Sequence, residues 1–412
     1  MKILYLTQNY VPLSDGGLYP DLINALKEKG HEVTMVAGDC SVKKTSFQNI
    51  DGIDTLRVKI GRQFGVNFIK KGLVLIAIPG KFNRAIRKHL KGPYDLILYA
   101  TPPITLEKTI AFAKRRYKAK TYLMLKDIFP QNAFDLDIMK ENGFIASYFK
   151  KREKKLYKIS DKIGCMSPKN MNFLAERDYS LLEKVELFPN TIAPCGNPDI
   201  PANDFIKEID LPEDKTIFLY GGNLGKPQGV ELLLGAISEL KDYDKAYFVV
   251  AGKGMELNKV KGALNNAPNA TFLDFMSKEN FDNLTAQCDV GLVLLDYRFT
   301  IPNFPSRILS YLNYSKPVIA ATDIHTDIKE LVEEDAKCGK WVHSKFMPDF
   351  IEAIKDMCEN QDRKTLGANG RKYLLEHFDV SVSVEKLESF MKAESRPDGN
   401  CENETLAEVG NV

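Results

Sequence analysis

Several short stretches of this chain bring together residue types suited to holding phosphate groups. Gly221-Gly222-Asn223-Leu224-Gly225-Lys226-Pro227-Gln228-Gly229 follows an apolar run and precedes a helical pattern. It offers backbone N–H groups, an amide at Asn223 and a cation at Lys226, a set that suits a diphosphate. No Gly-Lys-Ser/Thr closes it, so it is not a P-loop. Gly252-Lys253-Gly254 repeats the close-approach turn after the next apolar run. Near the start, Gln8-Asn9-Tyr10-Val11-Pro12-Leu13-Ser14-Asp15-Gly16-Gly17 also leads from a strand into a helix. Paired glycines let backbone approach a ligand there, and a helix N-terminus attracts anions. Gly-x-Gly-x-x-Gly is absent, which excludes the dinucleotide fingerprint. In Phe304-Pro305-Ser306-Arg307, Pro305 suits the first helical position, which would set the Ser306 N–H and Arg307 at a helix start facing phosphate. Each stretch alone reads equally well as a tight turn or an ordinary helix start. Three glycine-rich turns at strand ends say more than one.

The elements that must carry these turns alternate strand and helix. Apolar runs at Lys2–Thr7, Glu32–Ala37, Thr55–Lys59, Asp95–Ala100, Thr121–Leu125, Lys162–Met166 and Lys184–Phe188 predict seven strands with helices between them. Pro194, Pro198, Pro201 and Pro212 then interrupt the pattern. A second series follows at Thr216–Tyr220, Ala246–Ala251, Ala270–Leu273, Val290–Leu295 and Pro317–Ala321. This alternation predicts an α/β chain with two doubly wound parallel sheets in series. The expected boundaries are a first domain at 1–190, a linker region at 191–213, a second domain at 214–378, a C-terminal helix at 379–393 and a disordered tail at 394–412. Ligands of such sheets bind beyond the carboxyl ends of the strands, so two facing domains would form a cleft.

Composition narrows the function classes. Of the 412 residues, 44% are hydrophobic, enough for ordinary cores. Seven Cys without Cys-x-x-Cys spacing argue against a disulfide framework and a structural zinc site. The opening Met1–Thr7 reads as a strand and not as a signal peptide, and no run approaches the ~18 apolar residues of a membrane span. A reducing cytoplasm is the expected location. The net charge is +2, but residues 1–190 hold 33 Lys and Arg against 19 Asp and Glu, while the remaining 222 hold 24 against 36. Such asymmetry points to an anionic partner for the first half. Arg62–Lys91 mixes apolar and basic residues, and reads equally as a membrane-surface helix or as a core helix with a solvated basic face. Lys150–Lys158 is a denser basic run. No nucleic-acid motif is present, so an anionic membrane surface is the expected partner.

In order and spacing, Gly221–Gly229, Gly252–Gly254 and Phe304–Val318 resemble the donor domain of the retaining nucleotide-sugar glycosyltransferases of family 4, whose GT-B fold is two facing Rossmann-like domains. Pro12 to Gly17 and Lys126-Asp127-Ile128-Phe129-Pro130 resemble the acceptor domain of the subgroup building bacterial surface polysaccharides, including the L-fucosamine transferase-like enzymes. The resemblance covers about residues 1–392. It implies a nucleotide-sugar donor, a UDP-sugar by expectation. It also implies a polyprenyl-diphosphate-linked saccharide acceptor, retention of configuration, and attachment to the inner face of the cell membrane. The implied donor-binding residues are Gly221, Gly222, Asn223, Gly225, Gly252, Gly254, Asn303, Ser306 and Ser310, and Gly16 and Gly17 form the acceptor or diphosphate loop.

Three departures stand out. The family's frequent Glu-x7-Glu falls on Pro302 and Ser310, its Arg and Lys in the donor loop on Asn223 and Gln228, and its active-site His on Asp127. Departure of a nucleoside diphosphate develops negative charge, which fixed cations and N–H donors stabilise without a metal. Lys226, Arg307 and Asp127 are therefore the expected catalytic residues, with no cofactor and no metal required. Asp135-Leu136-Asp137 belongs to no donor-domain pattern and reads as a polar loop. Two further readings stay open: a nucleotide-sugar epimerase on the same fold, and a non-catalytic partner subunit that has lost its carboxylates.

Overall fold

The computed structural model describes residues 1–61 and 68–394. The first sheet has eight strands: β1 Lys2–Thr7, β2 Glu32–Asp39, β3 Ser46–Ile50, β4 Ile53–Lys59, β5 Leu96–Ala100, β6 Lys120–Leu125, β7 Lys162–Cys165 and β8 Val185–Leu187. Their order is β3-β4-β2-β1-β5-β6-β7-β8, and only β3 runs antiparallel to its neighbour. The second sheet is wholly parallel: β9 Thr216–Asn223, β10 Ala246–Lys253, β11 Ala270–Asp274, β12 Val290–Leu294, β13 Val318–Thr322 and β14 Gly339–His343. Its order, β11-β10-β9-β12-β13-β14, is that of a doubly wound dinucleotide-type sheet. The predicted α/β architecture of two such sheets is what the chain adopts.

Helices cover both faces of each sheet, so the central strands are buried on both sides and read as unbroken apolar runs, as in Val290-Gly-Leu-Val-Leu294. In β1, Leu4 and Leu6 face one layer, where Ile78, Phe82, Ala85 and Ile86 of helix Phe68–His89 pack. Ile3 and Tyr5 face the other, with Leu22, Ile23 and Leu26 of helix Leu18–Glu28. The apolar stripe of helix Phe68–His89 is thus spent on the core over Ile78–Leu90, leaving Lys81, Arg84, Arg87 and Lys88 exposed. Over Ile78–Leu90 the core helix with a basic solvated face is what forms; residues 62–67, and the side chains at 68–73, 75 and 76, lie outside the described residues.

Two strands were not anticipated. β3 is a polar, mostly exposed edge strand with little apolar signal, joined to β4 through Asp51-Gly52, both at positive φ. β14 is half-buried along its length and passes so close to β13 that only a glycine fits at Gly339 beside the Val318 carbonyl. The predicted glycine turns also begin inside strands: β9 runs on to Asn223 and β10 to Lys253.

The last helix, Val380–Glu394, belongs spatially to the first sheet. Val384, Leu387 and Phe390 pack beside helix Leu18–Glu28. The two chain crossings run side by side, with the Ile192 N–H donating to Phe378 O at 3.0 Å and the Val380 N–H to Ile192 O at 2.9 Å. The tail expected at 394–412 falls, but for its first residue, outside the described residues.

Candidate active site

A cleft of about 620 Å³ lies between the two sheets, lined from both halves. On the second half it opens where β9 and β12 part, the switch point of the strand order. These strands pair only at Phe218–Val290 and Leu219–Gly291. The buried Tyr311 hydroxyl occupies the gap, donating to Leu219 O (2.9 Å) or Leu292 O (3.2 Å) and accepting from the Gly221 N–H (3.3 Å). A side chain at Gly291 would overlap the Tyr311 ring, so that glycine is what admits the tyrosine.

The paired glycines at the end of β9 serve a related purpose. A Cβ on Gly221 would strike the Phe281 ring, and one on Gly222 would strike the Arg307 guanidinium. Arg307 lies across Gly222 with its guanidinium carbon 5.4 Å from the Phe281 ring centre. The glycines and the aromatic ring thus fix a cation at the cleft wall, beside Asn303, Phe304, Pro305 and Ser306. Asn223 also lines the cleft, with its amide donating to Gln228 Oε1 at 2.9 Å.

The facing wall comes from the loop after β6. The N–H groups of Lys126 and Asp127 both donate to Thr101 Oγ1, at 3.0 and 3.2 Å, which orders the loop. Both side chains line the cleft. They meet the cleft yet lie far below the outer surface, so desolvation dominates their acidity. Burial pushes the Asp127 carboxyl up to about 7 and pulls the Lys126 ammonium down to about 7. Tyr19 lies near enough that the Asp127 charge, after its own burial, raises the pKa of its hydroxyl. Among the described residues, Asp127 is the single carboxylate that lines the cleft, and Lys126 and Arg307 are the two cations.

Of the residues expected at the site, the fold brings Asp127, Arg307, Gly221, Asn223, Asn303 and Ser306 to one cleft. It does not bring Lys226 there. The short turn Lys226–Gln228 presents Pro227 and Gln228 inward and leaves Lys226 exposed. Gly252 and Gly254 sit behind the donor loop, where a Cβ would strike the backbone of Gly222 and Leu224, so they serve strand packing. Gly225 and Ser310 do not line the cleft either. Gly16 lies under the Lys278 side chain of the opposing half, and the Gly17 N–H donates to Asp21 Oδ1 at 3.0 Å. The residue missed was Lys126, although it adjoins Asp127.

The two walls are tied at one edge. Asp135 accepts from the Thr300 N–H at 2.8 Å and from its hydroxyl at 3.0 Å, and Asp137 pairs with Arg298 at 3.5 Å. The Asp-x-Asp is therefore a clasp between halves. Near the crossing, the Lys169 ammonium reaches Thr326 O and Glu330, and the Asn170 amide donates to Pro302 O at 3.2 Å.

Residues 202–373 match the family described as glycosyl transferases group 1. Over 381 residues the chain is 23% identical to WcaI of Escherichia coli K12, named as a glycosyl transferase of colanic acid biosynthesis, covering 86% of this chain and 90% of that one. Over 299 residues it is 24% identical to WbjE of Pseudomonas aeruginosa, named as a glycosyltransferase, covering 71% and 73%. Among solved structures it resembles the sucrose-phosphate synthase of Thermosynechococcus elongatus, with a TM-score of 0.75, 17% identity and coverage of 96% and 100%. Anabaena Alr3699/HepE in complex with UDP superposes with a TM-score of 0.63 at 16% identity, covering 95% and 100%. With a cleft at the switch point and a group 1 match across the half that carries Arg307, the chain is a glycosyltransferase of the GT-B fold.

Proposed function

We propose that this enzyme transfers a sugar from a UDP-sugar to a saccharide carried on polyprenyl diphosphate in bacterial surface-polysaccharide synthesis, with retention of configuration, as in family 4. The observation that carries this reading is the cleft itself: a guanidinium fixed over a glycine loop on one wall, a half-buried carboxylate on the other. In the transfer, the bond from the anomeric carbon to the diphosphate oxygen breaks and the electron pair leaves with UDP. The acceptor hydroxyl oxygen bonds to that carbon and passes its proton to the departing phosphate oxygen. Arg307 and the Ser306 N–H hold the departing charge, in a site where fixed donors need no reorganisation. Asp127 stabilises the oxocarbenium-like carbon or orients the hydroxyl, by analogy with glycoside hydrolysis. Charge neutralisation by side chains makes a metal unnecessary in this scheme. Support for the donor comes from neighbours: HepE is described in complex with UDP and UDP-glucose, and an E. coli trehalose-6-phosphate structure with UDP-2-fluoro glucose. The naming of WcaI supports a polysaccharide pathway, and the L-fucosamine transferase-like subgroup remains the nearest functional expectation.

The acceptor half would rest on the inner face of the cell membrane. Among the described residues no helix is long and apolar enough to cross a bilayer. Helix Phe144–Ile159 begins with Phe144, 97% exposed, and Ile145, 53% exposed, and then shows Lys151, Lys154, Lys155 and Lys158 along one face. That face suits an anionic surface.

A thermal-shift screen of nucleoside diphosphates and their sugars tests the donor reading. A ligand at about 100 times its Kd adds ~2.7 kcal/mol of stability. UDP and a UDP-sugar should raise the melting temperature; no shift with any nucleotide would overturn the proposal.

A further inference from the structure

Among the described residues, Lys126 is the one cation that the first half places in the cleft lining, and the scheme above does not use it. Among the described residues its ammonium makes no ion pair and no side-chain hydrogen bond. Its assigned neighbour is the Phe188 ring, with Nζ 5.4 Å from the centroid. The titratable groups around it do not neutralise it. The Cys165 thiol on β7 is held neutral by its own burial, pushed up to about 12. Glu186 on β8 is taken by the Tyr122 hydroxyl at 2.5 Å and by Lys162 at 3.7 Å. Asp127, next in the chain, extends its influence toward Tyr19.

A half-buried ammonium facing the cleft without a partner is unfavourable, and a methionine would satisfy the same packing. The opposite wall, meanwhile, is short of charge. Its two amides, Asn223 and Gln228, are hydrogen-bonded to each other, and Lys226 points outward, leaving Arg307 as the single cation lining that wall. The diphosphate of a nucleotide-sugar carries about two negative charges near neutrality, more than one guanidinium offsets.

We propose that Lys126 is a phosphate-recognising residue of this enzyme, gripping a substrate oxyanion from the wall opposite Arg307. This rests on reading the cleft as a nucleotide-sugar site. The phosphate belongs either to the donor diphosphate or to the acceptor, and the chemistry is the same: a compact point cation meeting an oxyanion in a water-poor cleft. Burial keeps the free amine near half-protonated at about pH 7, so at about pH 8 an arriving phosphate must draw a proton onto it. Phosphate itself is by then fully ionised, its second pKa being about 6.

Titration calorimetry at about pH 8, in buffers of different ionisation enthalpy, reads that proton directly. One arm titrates UDP into the enzyme; the second titrates glucose 1-phosphate into the UDP complex. The wild type should take up close to one proton with whichever anion Lys126 holds, which identifies the source. Lys126→Met should bind that anion about tenfold more weakly and without proton uptake. Its melting temperature should be no lower than that of the wild type, since a half-buried, unpaired charge is removed. Lys126→Arg, permanently charged, should bind without uptake. Wild-type affinity and uptake for both anions in Lys126→Met would overturn the inference. Failure of the wild type to bind UDP at all would instead overturn the reading of the cleft, and the inference would fall with it.

Discussion

Arg307 owes its position to what two neighbours lack. The missing side chain of Gly222 leaves room for the guanidinium, and that of Gly221 leaves room for Phe281, on which the guanidinium rests. Hydrogen bonds to charged groups contribute ~1.5–3 kcal/mol, so Arg307→Ala should weaken UDP binding by roughly tenfold or more. Lys226→Ala, at an exposed site, should change it little; equal losses in calorimetry would return Lys226 to the donor site. Gly222→Ala should resemble Arg307→Ala in the same titration, because the methyl group displaces the cation and the residue's φ of 139° disfavours a side chain. Asp127 carries a pH signature. Its folded pKa, about 7, lies above that of the unfolded chain, so ionising it in the fold is unfavourable. That penalty is absent below the ordinary carboxylate range of ~3.9, grows as pH rises toward 7 and is complete above it. Asp127→Asn should therefore raise the melting temperature at about pH 8 and leave it unchanged near pH 3.5, while lowering transfer. A stability gain independent of pH would show that the carboxyl is not held protonated by burial.

At the scale of elements, Tyr311 and the Asp135 clasp decide whether the cleft has a defined shape. Tyr311 is fully buried and its hydroxyl serves backbone groups of two diverging strands and the donor loop. Tyr311→Phe leaves those groups without this partner in the interior and should lower stability by ~1–3 kcal/mol in denaturant unfolding. A neutral result would mean that water takes the vacated place. Asp135 and Asp137 are already occupied by Thr300 and Arg298. Transfer should accordingly persist in excess chelator; activity that vanishes and returns with Mg²⁺ would reassign both carboxylates. Asp135→Ala should loosen closure and raise the share of donor lost to water, read as the ratio of hydrolysis to transfer.

Over the whole molecule, charge and chain path matter more than any one contact. The stripe Lys151, Lys154, Lys155 and Lys158 is exposed, whereas Lys150 pairs with Glu141 at 2.9 Å and Arg152 with Glu107. Changing the four stripe lysines to Glu should release the protein from anionic vesicles and leave UDP affinity intact. The attachment should weaken with salt, whose Debye length is ~8 Å at physiological ionic strength. Equal flotation with neutral vesicles would reduce the stripe to a solvated helix face. The sequence by itself determined the two cycles of strand and helix, because a parallel strand buried on both faces must be apolar throughout and each helix must keep one apolar stripe. It also determined which turns carry glycine and where Pro305 precedes Arg307. Only the tertiary structure decided which of those glycines face a ligand and which, like Gly252 and Gly254, admit a neighbouring strand, since a missing Cβ looks the same in sequence whatever fills its place. It decided too that Lys226 turns outward while Lys126 turns in, and that the last helix returns to the first sheet. Those outcomes depend on contacts between residues far apart in the chain, such as Ile192 with Val380, and local periodicity carries no record of them.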